Sequence, residues 1–248
     1  MMKFNKRYTY PKTVREEING KRHYVIPGQK HLPSVTTILD ATQSEEKRQK
    51  LDQWKSRVGE REAERIRVES TTIGSKMHSI LEHHLIGQGE LLDLSENGSQ
   101  AHRMANVIIE KGLPDLEEIY GLEATLYNPE KYAGAADCVG IYQGRESIID
   151  FKTTNRPKQD DWIHNYYHQL CLYAAAHDVV YGTEIEQGVI LMVSRDLFFQ
   201  KFVINGSRFR QFKQEALNLV ERYYANIQDR TTQEVEEGSS NGGNNTKV

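Results

Sequence analysis

The apolar run Ser147-Ile148-Ile149 is followed at once by a carboxylate, an apolar residue and an ammonium, Asp150-Phe151-Lys152. Asp137 lies thirteen residues upstream of Asp150, at the start of the preceding apolar run. Two strands joined by a tight turn would bring both carboxylates and the lysine to one edge of a sheet. Two carboxylates within a few ångströms of each other can hold a divalent cation through hard oxygen ligands. A lysine beside that cation can position a water or steady charge on a phosphate. The chemistry expected of this set is metal-assisted cleavage of a phosphodiester. An acid-x-Lys triplet is a weak signal alone, since Glu45-Glu46-Lys47 repeats it inside a polar stretch. Context lifts the second copy: it ends an apolar strand, and Gly134-Ala135-Ala136 supplies small residues before Asp137 that let backbone approach closely.

The elements that must position these groups are legible in part. Asn19-Gly20 is a two-residue turn signal inside a hairpin over Val14 to Pro27. Ser34 is placed to cap a short helix through Leu39. Ser44 to Glu69 is helical in composition, with a break at Gly59, and Thr71-Thr72 are expected to cap a further helix whose Ile73, Met77, Ile80, Leu81 and Leu85 form an apolar stripe. Asn97 to Lys111 continues as a helix and stops at Gly112 and Pro114. Ile119 to Tyr127, Ala133 to Tyr142 and Glu146 to Thr153 read as strands, with Gln143-Gly144 turning between the last two. A helix over Asp160 to Val180, strands over Val189 to Val193 and Phe198 to Ile204, and an amphipathic helix over Ser207 to Ile227 follow. The predicted class is α+β (mixed α/β), a helix-flanked mixed sheet with an N-terminal helical region. The chain divides into a hairpin and helical region over 1–115, a core over 116–229 and a tail over 230–248, whose Thr, Glu, Ser, Asn and Gly content predicts disorder.

Composition bounds the function. The 248 residues are 27% charged and 38% hydrophobic, an ordinary globular balance. No apolar run approaches the roughly 20 residues that span a bilayer, and no apolar segment follows Met-Met-Lys-Phe-Asn-Lys-Arg as a secretory signal would require. An intracellular setting is expected, a phage-encoded one in preference to the mitochondrial matrix. Cys138 and Cys171 form no C-x-x-C pair and cannot make a four-cysteine zinc or iron–sulfur site. No G-x-x-x-x-G-K-[ST] loop is present, because Arg15 stands where the first glycine before Gly20-Lys21 would be, so no ATP-driven motor is expected. The net charge is −3, yet eight basic residues between Lys47 and Arg67 face only four acids. That stretch reads either as a track for a phosphate backbone or as a solvated helix laced by pairs such as Arg57–Glu60 and Glu64–Arg67.

Gly134-x-x-Asp137, Asp150-x-Lys152 and the downstream Gln169-x-x-x-Tyr173 resemble the RecB-type branch of the PD-(D/E)XK nuclease superfamily. Gly74-Ser75-Lys76-Met77-His78 resembles that branch's upstream G-T-x-x-H motif, with the hydroxyl of Ser75 in place of threonine. Pro33-Ser34-Val35-Thr36-Thr37-Ile38-Leu39 and the Ala133–Thr154 block are similar to the mitochondrial genome maintenance exonucleases and their phage relatives. The likeness runs from about Pro33 to Ala176, and four motifs in this order are far more specific than any one.

The resemblance implies a restriction-endonuclease-like core and a DNA exonuclease acting on single strands or free ends. Asp137 and Asp150 would ligate Mg²⁺ or Mn²⁺, the Phe151 carbonyl would add an oxygen, and His78 would add a nitrogen or hold a water beside the ion. Lys152 would orient the attacking water and stabilise the developing phosphate charge. Glu123 matches an acidic position of the family, or is an exposed strand carboxylate. Gln169 and Tyr173, four apart on one helix face, would contact DNA or order the site, or form a polar patch on a core helix. Thr153, Thr154 and Arg156 follow the metal motif and are candidates for contact with the scissile strand. Ser34, Thr36 and Thr37 could donate to phosphate or serve only as a cap. Trp54 could stack on an unpaired base or pack in the core. His164 and His168 share a helix face but lack the acid of an H-E-x-x-H zinc motif. Two other readings remain open at this stage: a structure-specific or nicking endonuclease, and a catalytically silent nucleic-acid-binding module.

Overall fold

The structure, a computed structural model, describes residues 3–88 and 93–240. Its main sheet has six strands among the described residues: β1 (Lys3–Phe4), then, after the hairpin strands β2 (Val14–Ile18), β3 (Lys21–Val25) and β4 (His31–Pro33), β5 (Leu116–Asn128), β6 (Tyr132–Tyr142), β7 (Arg145–Thr154), β8 (Gln187–Ser194) and β9 (Phe199–Asn205). The main sheet runs β1-β5-β6-β7-β8-β9, and β2-β3-β4 form a separate three-stranded sheet. β5, β6 and β7 are an antiparallel meander, β7 and β8 are parallel, and β9 returns antiparallel. The mixed α/β class expected from the sequence is therefore the class observed.

Six α-helices among the described residues accompany the sheets: α1 (Val35–Ala41), α2 (Glu45–Val58), α3 (Glu60–Ile86), α4 (Glu96–Lys111), α5 (His164–Tyr181) and α6 (Gly206–Ser240). α5 makes the crossover between parallel β7 and β8, as a parallel pair requires. One face of the sheet packs Ile148, Ile190 and Met192 against Leu170 and Ala174 of α5 and Phe209 of α6. The opposite face packs Ile149, Phe151 and Leu191 against Met77 and Leu81 of α3 and Met104 and Ile108 of α4. Because both faces are covered, every residue of β8 is buried and the strand reads as a continuous apolar run rather than an alternation.

Local signals account for most boundaries. Asn19 and Gly20 have φ of 52° and 70°, and Gln143 and Gly144 have 50° and 75°, the paired positive angles that a two-residue hairpin turn demands. Ser34 caps α1 by accepting the Thr37 N–H at 3.0 Å. Gly59, at φ 86°, separates α2 from α3. Thr71-Thr72 do not start a helix: α3 runs through them, and their hydroxyls donate back to the Arg67 and Val68 carbonyls, each at 2.9 Å. A threonine whose hydroxyl bonds the carbonyl four residues back stays within the helix instead of capping it. Strands β1 and β4 carry no sequence signal, being two and three residues long. α5 begins at His164, after a tight helical turn at Asp160–Trp162, later than Asp160. α6 continues through Ser240, past Ile227, since polar residues can propagate a helix already nucleated by the packed segment before them. Of the expected tail, residues 241–248 lie outside the described residues.

The N-terminal segment is fastened to α5 by a buried histidine. His177 Nε2 lies 3.1 Å from the Tyr10 hydroxyl, and Nδ1 lies 2.8 Å from Thr183 Oγ1. Thr183 Oγ1 already donates its proton to Asp178 Oδ1 at 2.7 Å. It must therefore accept from His177, which fixes the neutral tautomer with the proton on Nδ1 and leaves Nε2 to accept from Tyr10. Burial pushes the imidazole down to about 4, against the pull of Asp178. The unfolded histidine takes up its proton near pH 6.5, well before the folded one, so stability is full above about pH 6.5 and falls as pH drops toward 4. Chemical denaturation of the wild type across that window should show a loss approaching about 3 kcal/mol from this group. The pH slope attributable to this group should be absent in His177→Gln.

Candidate active site

The ladders set three carboxylates abreast. Leu122 pairs with Cys138 and Ala124 with Ala136, which puts Glu123 of β5 across from Asp137 of β6. Cys138 pairs with Ile149, so Asp137 in turn stands across from Asp150 of β7 at the point where that ladder ends. Past the ladder's end, Asp137 Oδ2 takes the Phe151 N–H at 2.7 Å, and the side chain does the work of the missing strand partner. Glu123 has φ of 45°, a left-handed conformation uncommon for a residue with a side chain.

Three cationic or protonatable groups reach the row from three different elements. His78 Nδ1, from the middle of α3, lies 3.3 Å from Asp137 Oδ1. Lys152 Nζ lies 2.5 Å from Asp150 Oδ2. Arg15 Nη2, from the hairpin strand β2, lies 3.3 Å from Glu123 Oε2. Period-2 alternation explains how one strand serves both layers. Ile149 and Phe151 enter the α3–α4 core, while Lys152 faces α5, where its ammonium sits 5.2 Å from the Tyr166 ring centre.

The charges hold one another. Burial works against ionisation of Asp137, but His78, Lys152 and the Phe151 N–H hold its carboxyl below the ordinary range. Burial raises Asp150, and repulsion from Asp137 raises it further against the pull of Lys152. Lys152 is raised because Asp150 and Asp137 outweigh the burial that opposes its charge. His78 is also opposed by burial, yet Asp137 lifts it to about 9. Burial and Asp137 raise Glu123.

The donor set fits a divalent cation. Ligand atoms of His78, Glu123 and Asp137 lie within 4.8 Å of one another. Asp150 is not in that group: its Oδ2 is buried and held by the lysine's charge without a well-directed hydrogen bond. An imidazole with carboxylates suits Mn²⁺ and, through the oxygens, Mg²⁺.

Gln169 and Tyr173 face the same region from α5, and Gln169 Nε2 donates to the Tyr173 hydroxyl at 3.2 Å. Tyr173 is buried against Gly134, where an added Cβ would stand 2.5 Å from the ring. The Gly-x-x-Asp and Gln-x-x-x-Tyr motifs are thus two halves of one contact. Thr153 Oγ1 would lie 3.5 Å from a Cβ placed on Gly74 of α3, so this end of β7 runs close beneath that helix. Thr154 donates to the Arg156 carbonyl at 2.9 Å, and Arg156 is exposed.

The remaining candidates are arranged differently. Ser34 and Thr37 are buried, and their hydroxyls are engaged within the chain: Ser34 Oγ meets Thr36 Oγ1 at 2.9 Å and Thr37 Oγ1 at 2.8 Å, and Thr37 donates to the Arg22 carbonyl. Ser34 also bridges to Ala133, which ties the start of α1 to the start of β6. Trp54 is half-buried on α2, a helix with no buried residue, and is outside both cores. Three of the eight basic residues pair with acids of the same two helices: Arg65 with Glu62 and Glu69, Arg67 with Glu64, and Lys50 with Glu46. His164 and His168 turn to different acids, Asp161 at 3.8 Å and Glu215 at 3.1 Å, rather than to a shared ion. The sequence reading missed Arg15 and Tyr166, which belong to no motif and reach the row only through tertiary contacts.

No protein-family model matches the chain. Mitochondrial genome maintenance exonuclease 1 of Mus musculus is 31% identical over 201 residues, covering 73% of this chain and 57% of the mouse protein. The Homo sapiens protein of the same name is 29% identical over 182 residues, covering 69% of this chain and 52% of its own length. The chain is related to the PD-(D/E)XK nucleases. It spans about half the length of the curated relatives it matches. Among solved structures, the alkaline exonuclease LHK-Exo of Laribacter hongkongensis is similar over 67% of this chain and 84% of its own, at 13% identity and a TM-score of 0.36. No helix among the described residues is long and apolar enough to cross a membrane.

The Gly134–Tyr173 contact is testable by itself. Gly134→Ala should lower the unfolding free energy by about 1–3 kcal/mol through overpacking. Tyr173→Leu in the same chain should return part of that loss, as read from denaturant midpoints.

Proposed function

We propose that this chain is a divalent-metal-dependent DNA exonuclease, acting on single strands or on free ends. The observation that carries the reading is the grouping of His78, Glu123 and Asp137 within 4.8 Å, with Asp150 and Lys152 alongside. Sequence relatives named exonucleases support the exonuclease mode.

In this reading His78, Glu123, Asp137 and Asp150 hold Mg²⁺ or Mn²⁺, with the Phe151 carbonyl as a further oxygen. The cation, when bound, supplies Lewis acidity toward the scissile phosphate and lowers the cost of generating hydroxide. Lys152 then orients the attacking water and places a fixed positive charge beside the phosphate as charge builds on it. Its partial burial strengthens that effect, since a charge in a low-dielectric surround is screened little. Gln169 and Tyr173 keep α5 seated on β6, which fixes the distance between the lysine and the carboxylate row. Thr153 and Thr154 at the end of β7, and the exposed Arg156 just beyond it, line the path of the DNA strand. On the side of residues 1–115, Trp54 and Thr36 flank that path, while the buried Ser34 and Thr37 hold the start of α1 in place. That region also contributes His78, while residues 116–229 form the nuclease core.

Lys152→Ala should bind DNA like the wild type and cut it at least about a hundredfold more slowly. EDTA should abolish cutting, and Mn²⁺ or Mg²⁺ should restore it. End-labelled linear single strands and a closed circle of the same sequence distinguish the mode. The linear strand should shorten while the circle persists; rapid cutting of the circle would make the enzyme an endonuclease, and unchanged cutting by Lys152→Ala would remove the assigned site.

A further inference from the structure

Lys152 and a divalent cation would both draw on Asp150. Its Oδ2 is held 2.5 Å from Lys152 Nζ, and the carboxylate stands outside the His78, Glu123 and Asp137 group. A divalent ion on Asp150 weakens the hold of that carboxylate on the ammonium, most of all if it takes Oδ2, and an ammonium so loosened inside this half-buried site needs another favourable surface. The structure offers one. Tyr166 of α5 lies with its ring centre 5.2 Å from Lys152 Nζ, and among the described residues no other ring lies against that ammonium. The Tyr166 hydroxyl makes no hydrogen bond among the described residues, so the ring face is what Tyr166 contributes. Tyr166 also lines a cavity of about 210 Å³ with Thr153, Thr154, Lys158 and Arg195.

We propose that Tyr166 is a positioning residue for Lys152: its ring receives the ammonium when Asp150 turns to a divalent cation. This rests on the nuclease reading of the site. The ring's negative face replaces the lost carboxylate without competing for the metal, since an aromatic face attracts a cation electrostatically and offers no ligand atom to the ion. Lys152 then stays charged, next to the phosphate and clear of Asp150.

The test replaces Tyr166 in the full chain by Phe, by Leu and by phenylalanines carrying increasing numbers of fluorines, which hold shape while draining the ring's negative face. Two quantities are read: Mn²⁺ affinity of the protein without DNA, by calorimetry, and single-turnover cleavage of an end-labelled single strand. Tyr166→Phe should stay within about threefold of wild type in both. Mn²⁺ affinity and rate should fall stepwise with fluorination, Tyr166→Leu reaching about tenfold, with thermal midpoint and DNA affinity unchanged. In a Lys152→Ala background Mn²⁺ affinity should no longer depend on residue 166. A flat fluorine series overturns the proposal, as does a series in which DNA affinity falls and Mn²⁺ affinity does not, which would make the ring a contact for DNA. A wild type that binds Mn²⁺ but cuts nothing would remove the nuclease reading, while the Mn²⁺ series would still decide the role of Tyr166.

Discussion

Three carboxylates in a row across adjacent strands repel one another, and the rest of the site is arranged around that fact. Glu123, Asp137 and Asp150 are brought abreast by the ladders of β5, β6 and β7. A buried carboxylate without a partner shifts its protonation or destabilises the fold. Here each acid has its own counter-charge, supplied by Arg15, His78 and Lys152. No two of these come from the same element, so the charges of the row are all balanced only when hairpin, α3 and β7 are in place. Under the proposed function, a divalent ion would concentrate the compensating charge at the row itself.

The helices on the two faces have separate tasks. α3 lies over one face with Met77 and Leu81 in the core, and that anchoring sets the depth at which His78 meets Asp137. α5 lies over the other face and meets β6 through the absence of a side chain at Gly134, which lets the Tyr173 ring lie against the strand. Glycine is required there by close approach, not by backbone angle. The same helix carries Tyr166 toward Lys152 and His177 toward the N-terminal tyrosines. Through α5, the N-terminal segment at Tyr10 and the carboxylate row share one support.

The sequence by itself determined the hairpin turns, the cap on α1 and the order of the longer strands, and it pointed to Asp137, Asp150, Lys152 and His78, which the fold brings together. These are local matters: positive φ at Asn-Gly and Gln-Gly, a serine side chain reaching three residues ahead, apolar runs ending in charge. The motifs also pointed to Glu123, Gln169 and Tyr173, and the fold brings all three to the same region. Thr71-Thr72 misled, because a threonine reads alike whether its hydroxyl caps a helix or bonds back inside one. Tertiary structure alone decided the rest. Which acid faces the histidine and which the lysine follows from where the β6–β7 ladder ends, a property of strand pairing rather than of spacing. Arg15 and Tyr166 join the site from 108 and 14 residues away in the chain, from Glu123 and Lys152 respectively, and only folding makes them neighbours. The hydroxyls of Ser34 and Thr37 are turned inward by the packing of α1 against β3 and β6, and no property of the residues themselves fixes that choice.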